Sequence, residues 1–175
     1  MRKNKVFTPP LKWDNSIYTI DGVVPLNLFL GGTIDNGESV DWQKAIIEEL
    51  NEHDTVHPIM IYNPRRDEWD ESASGDELDK QIQWELYHLE RADLIVMNIL
   101  PTSKSPISLL ELGLYARQHK LIVFCNPKFY RFNNVKQVCK MYDVPLHETN
   151  DILVIRKTIL DYANKDVKYD YGSKI

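Results

Sequence analysis

Two glutamates stand where an apolar helix would be expected to carry none. Glu111 lies inside SLLELGLYA, and Glu85 inside QIQWELYHLE. Burying an unpaired carboxylate costs several kcal/mol, so each acid must be solvated, paired or used. Glu111 follows Ile107 and Leu110 and precedes Leu114 at helical spacing, which predicts that it shares their sheet-facing stripe. Glu85 falls with Leu78, Ile82 and Leu89 in the same way. The plainer readings are a pairing of Glu111 with Arg117 or Lys120, and for Glu85 a contact with His88 or exposure at the stripe edge. Two acids on the inward faces of consecutive helices have a chemical use. One attacks and the other handles a proton when an acetal-like carbon bond breaks through an oxocarbenium-like state.

Other equipment surrounds them. NPRRDEW offers Asn63, Arg65, Arg66 and Trp69 after an apolar run. An arginine can fork onto phosphate or carboxylate, and a tryptophan can stack on a flat base. The alternative is a solvated charged loop. Gly31 and Gly32 precede Thr33 and predict a close backbone approach to a ligand after the first strand. The GGT segment lacks GxGxxG and the Walker lysine pattern. No GxSxG elbow or kinase signature is present. His53 and His57 are followed by Pro58 with no third ligand nearby, so no metal site is expected.

The elements that must position these residues alternate. NLFLGG, IMIYNP, DLIVMNI and KLIVFCN read as buried strands, and VPLHE as a fifth, edge strand. Between them, DWQKAIIEELNE (41–52), ELDKQIQWELYHLERA (77–92), ISLLELGLYARQ after Pro106, and NVKQVCKMY with Asn133 as N-cap read as helices. DILVIRKTILDYANK closes the series as an amphipathic helix. Central strands that are apolar throughout predict an α/β parallel sheet covered on both faces. Ligands of such sheets bind beyond the carboxyl ends of the strands, which singles out the loops GGTID, NPRRDEW, LPTSKSP and NPKFYRFN.

Residues 1–25 read as an irregular extension with a short hairpin through SIYTIDGVV, residues 26–165 as one domain, and residues 166–175 as a polar, aromatic tail. A formal charge of −5 argues against binding a nucleic-acid polymer. No run approaches the roughly 20 apolar residues of a membrane span. The start MRKNKVFTPPLKW lacks the apolar core of a secretory signal. Cys125 and Cys139 form no CxxC pair and read as reduced core residues, so a cytoplasmic home is expected.

The series LFLGGTID, YNPRRDEW, QIQWELYHLERADLIVMNI, SKSPISLLELGLYARQHKLIVF and FYRFNNVKQVC resembles the nucleoside 2-deoxyribosyltransferase superfamily, in its nucleoside 2-deoxyribosyltransferase-like branch, over roughly residues 26–147. The resemblance implies a flavodoxin-like three-layer sandwich with about five parallel strands. It further implies cleavage of the N-glycosidic bond of a (deoxy)nucleoside or nucleotide, the sugar passing to another base or to water. Glu111 of the ELG motif would be the nucleophile. Glu85, eight before Asp93, would handle the proton of the departing base. Asn134 would be supplied to a neighbouring subunit's site, which implies a homo-oligomer with sites near subunit interfaces.

Two positions depart from the family pattern. Phe29 stands where a tyrosine holds the nucleophile, and Ser105 where an aspartate contacts the sugar hydroxyls. Relatives that hydrolyse nucleoside monophosphates bind the 5′-phosphate with a serine near this loop, a task open to Ser105, Ser108, Lys104 and Arg65. The other readings are a glycosidase of a larger nucleotide, such as a dinucleotide or signalling nucleotide, and a nucleotide-binding sensor without catalysis. None of the readings calls for a cofactor.

Overall fold

A computed structural model describes residues 4–9, 19–20, 22–66 and 75–165. Of the predicted hairpin, residues 16–18 and 21 lie outside them, and Ile20 pairs with Val23 in an isolated antiparallel bridge, N–H to O at 2.8 and 3.0 Å. Trp69 and the tail 166–175 also lie outside. Six strands form one parallel sheet in the order β1-β3-β2-β4-β5-β6. They are β1 (Lys5–Phe7), β2 (Leu26–Gly32), β3 (Ile59–Tyr62), β4 (Leu94–Ile99), β5 (Leu121–Cys125) and β6 (Leu146–His147). The helices are α1 (Trp42–Asn51), α2 (Gly75–Arg91), α3 (Pro106–Tyr115), α4 (Phe132–Met141) and α5 (Ile152–Ala163).

With β1 set aside, the remaining five strands follow the doubly wound flavodoxin-like order. The sixth strand corrects the reading of residues 1–25 as irregular. Lys5–Phe7 pairs in parallel with Met60–Tyr62 at the sheet edge. Only three residues long and partly exposed, it leaves too little apolar alternation to be recognised from sequence.

Each sheet face buries its own core. Leu26, Leu28 and Leu30 of β2 point to one face, where Trp42, Ile46 and Leu50 of α1 meet Ile155, Ile159 and Ala163 of α5. Asp41 caps α1 by accepting from Lys44 N, and Asp151 caps α5 by accepting from Leu153 N. Phe29 and Met97 point to the other face, covered by Trp84 and Leu89 of α2, Leu112 and Tyr115 of α3, and Val135 and Cys139 of α4. Both cysteines there are free, and burial pushes their thiols up to about 12 and about 11. Helix α4 begins earlier than predicted, with Arg131 rather than Asn133 at its N-cap position. The backbone turn Phe132 N→Phe129 O already starts the coil there, so no side-chain cap is needed.

The strand order reverses between β2 and β4, so the crevice above their carboxyl ends is where this architecture binds ligands. Pro106 in the first turn of α3 launches the helix from that crevice.

Candidate active site

Glu111 is buried, at 8% exposure, and accepts no hydrogen bond or ion pair among the described residues. Its surroundings differ from the predicted stripe. Ile107, Leu110 and Leu114 are 60%, 61% and 52% exposed, whereas Ser108, Glu111, Leu112 and Tyr115 face inward. The acid is therefore inside because of its own face, not because of the leucines beside it. The pairings that would have made it bland are absent. Arg117 donates to Tyr142 Oη at 3.3 Å, and Lys120 Nζ donates to the carbonyls of Leu89 and Glu90.

Helix α2 shows the same rotation. Leu78 and Ile82 are half exposed, while Gln81, Trp84, His88 and Leu89 are buried. Glu85 lies at the boundary and accepts a 2.8 Å hydrogen bond from Gln81 Nε2, one helical turn back, rather than contacting His88. In both helices the amphipathic period was legible and its phase was not. Here the exposed side carries large apolar residues, so composition alone points the wrong way.

Burial, and secondarily the charge of Glu85, pushes Glu111 up to about 8. Glu85 is also raised by burial, but the Gln81 hydrogen bond and the nearby Arg66 charge hold it back. Two carboxylates that repel each other in a dry site titrate as a pair. Of the two, Glu111 is the acid whose protonated form is favoured at neutral pH. One proton between two carboxylates is the inventory for an attacking carboxylate plus a general acid.

The remaining predicted residues divide. Phe29 is wholly buried, 6.3 Å from the Trp84 ring, and forms an apolar floor without a donor for either acid. Gly31 stands beside it, where an added Cβ would meet the Phe29 ring at 3.7 Å. At Gly32 the close neighbour that requires glycine is protein backbone. Its φ is +124°, and a Cβ would lie 2.2 Å from Asn98 O, so the close neighbour is β4.

Arg65 braces the 37–41 loop. Its guanidinium donates to Gly37 O, Ser39 O, Ser39 Oγ and Val40 O, and its Nε faces Asp41 at 3.6 Å. Asn63 Oδ1 accepts from Arg65 N and shapes the turn. Arg66 is the arginine whose charge reaches Glu85. Adjacent arginines in a loop look alike in sequence, and only the path of the backbone separates their tasks.

Ser105 and Ser108 are buried on the inner side of α3, Ser108 one turn before Glu111. Ser105 holds the left-handed conformation at the α3 N-cap position, φ +44°. Asn134 lies elsewhere. It lines a shallow groove of about 310 Å³ between α3 and α4, with Leu109, Gly113 and Tyr130.

The sequence pattern of the family described as nucleoside 2-deoxyribosyltransferase-like matches residues 25–129. Glu85, Glu111 and the loops around them fall inside that match, and Asn134 outside it. No curated protein matches the chain. Among solved structures, the chain is similar to a crystal structure of a conserved protein from Enterococcus faecalis V583. The two are 11% identical with a TM-score of 0.45, over 81% of this chain and 89% of that one.

Proposed function

Since the chain belongs to the nucleoside 2-deoxyribosyltransferase-like family, we propose that it cleaves the N-glycosidic bond of a nucleoside or nucleotide through Glu111 and Glu85. The observation that supports this reading is the coupled acid pair. Glu111 is buried and has no partner among the described residues, and Glu85 beside it is tuned by Gln81 and Arg66.

The proton inventory suits the reaction. Substrate entry moves the shared proton from Glu111 to Glu85, which leaves the charge of the pair unchanged. A Glu111 oxygen then attacks the anomeric carbon while the bond to the base nitrogen breaks. The bonding electrons leave with the base, and Glu85 supplies the proton that neutralises it. The result is a glycosyl ester on Glu111. A second base or a water then attacks the same carbon, gives its proton to Glu85 and releases Glu111. Phe29 offers no hydrogen bond to stabilise a resting Glu111 anion. That absence is consistent with a nucleophile that stays protonated until substrate arrives.

The test is to incubate the protein with deoxynucleosides and nucleotides, with and without an acceptor base, and to measure released base. Glu111→Ala should lose activity by roughly a thousandfold or more, and a 2-fluoro sugar analogue should leave its mass on the peptide carrying Glu111. Rates should fall both at low pH, where both acids are protonated, and above about 8, where Glu111 sheds its proton. If no base is released and Glu111→Ala binds and behaves like the parent protein, the reading is wrong.

A further inference from the structure

The two acids differ in what touches them. Glu111 accepts no hydrogen bond among the described residues, whereas Glu85 Oε1 accepts from Gln81 Nε2 at 2.8 Å. Residues four apart share one helix face, and a helical side chain leans back toward the N-terminus, so Glu85 reaches toward Gln81. Gln81 is only 5% exposed, which is uncommon for a glutamine. Burying a carboxamide is costly unless its polar atoms are used, and the Nε2 hydrogen bond to Glu85 is a use.

The other charged and titratable neighbours of Glu85 offer it no hydrogen. From the loop after β3, Arg66 contributes its charge, and its buried Nε makes no hydrogen bond. From α3, Glu111 is the acid that Glu85 repels. On α2 itself, His88 is stacked on Tyr62 at 4.1 Å and tilted against Trp84 at 4.4 Å. Burial pushes it down to about 4, so it is uncharged at neutral pH. Arg91 lies over the Tyr87 ring, and Phe29 of β2 has nothing to donate. Gln81 is thus the one hydrogen-bond donor to Glu85 among the described residues.

Such a donor has two consequences. An N–H bonds a carboxylate more strongly than a neutral acid, so it biases Glu85 toward the ionised form and leaves Glu111 the acid more easily protonated. It also separates the two Glu85 oxygens. In a protonated carboxyl the carbonyl oxygen is the better acceptor, so the Gln81 bond reserves Oε1 as the carbonyl and places the hydroxyl at Oε2. A lysine at position 81 would favour the anion too strongly for it to take a proton back, and an apolar side chain would leave the acids alike. A neutral amide lies between.

We propose that Gln81 is a positioning residue: its carboxamide holds Glu85 Oε1, which makes Oε2 the atom that exchanges the proton and keeps the roles of the two acids apart. The use made of that proton rests on the glycosyl reading. The hold of Gln81 on Glu85 does not.

Two readouts on the full chain test it. The first is an NMR titration of the glutamate carboxyl carbons in the free protein, which needs no substrate. In Gln81→Met, which keeps the length and removes the donor, the Glu85 midpoint should rise while that of Glu111 does not fall. In Gln81→Glu, which sets a third carboxylate beside the pair, the Glu85 midpoint should rise further. A side chain that only packed would, once replaced, admit water and lower both midpoints together. The second readout is base release, where Gln81→Met should lower kcat roughly tenfold and leave KM within about twofold. A Glu85 midpoint unmoved in both variants, a joint fall of both acids, or an unchanged kcat overturns the proposal. Base release by the parent protein with an unmoved Glu85 midpoint would leave the glycosyl reading standing without Gln81. A raised midpoint in a protein that releases no base would sink the glycosyl reading and keep the hold of Gln81 on Glu85.

Discussion

The two faces of the sheet use neighbouring residues for opposite ends. On the α1/α5 face, Leu26, Leu28 and Leu30 of β2 are fully buried against apolar side chains. On the α2/α3/α4 face, Phe29 of the same strand floors a region that holds two coupled carboxylates, and a buried His88 is stacked on Tyr62 and pushed down to about 4 by burial. One face gains stability from every contact. The other gives some of it up by holding acids in a dry place. The contrast implies that stability and chemistry can be perturbed separately, each from its own side.

The largest expected effect lies on the closed face. Leu28→Ala should cost roughly 4 kcal/mol in denaturant unfolding, because a central strand cannot collapse into the hole. Turnover per folded molecule should hardly change. A large loss of activity well below the unfolding midpoint would show that the faces are not independent.

The next effect has the opposite sign. Glu111 is raised to about 8 in the folded chain, far above its value in an unfolded one. The folded state therefore binds the proton more tightly, and stability falls as pH rises through roughly 4.5 to 8. Glu111→Gln should remove that penalty. The variant should gain on the order of 3 kcal/mol at pH 9 and nearly nothing at pH 4. A gain that does not depend on pH would mean that burial of the carboxylate is not its source.

The smallest effect separates the two arginines. Arg66→Ala removes the charge that holds Glu85 down, so the acidic limb of the rate profile should move up. Arg65→Ala should leave the limb in place and lower stability by about 1 kcal/mol, as part-buried loop carbonyls lose their donor. Equal pH shifts in both variants would erase the distinction.

The alternation of strands and helices was legible because each element carries its own period and its own stop. Pro64 ends the β3 run, Pro106 opens α3, and Asp151 caps α5. Glu85 and Glu111 were legible as oddities in apolar surroundings, and the family pattern assigned them a chemistry. What period could not supply was phase. The stripes read as inward, Leu78 with Ile82 and Ile107 with Leu110 and Leu114, turned out to face outward. A helix places apolar residues on whichever side the neighbouring elements leave uncovered, and that information belongs to the neighbours.

Local sequence determined the order of elements, the parallel sheet and the identity of the two acids, because propensity, caps and apolar runs act within a few residues. Tertiary structure alone decided which arginine reaches Glu85, that Gly32 must make room for the β4 backbone, and that the three hydroxyls of Thr33, Ser105 and Ser103, from two distant loops, point in one direction toward Asp35. Those are relations between segments dozens of residues apart. Electrostatics and hydrogen-bond direction depend on distance in space, which the chain acquires only when the sheet is assembled.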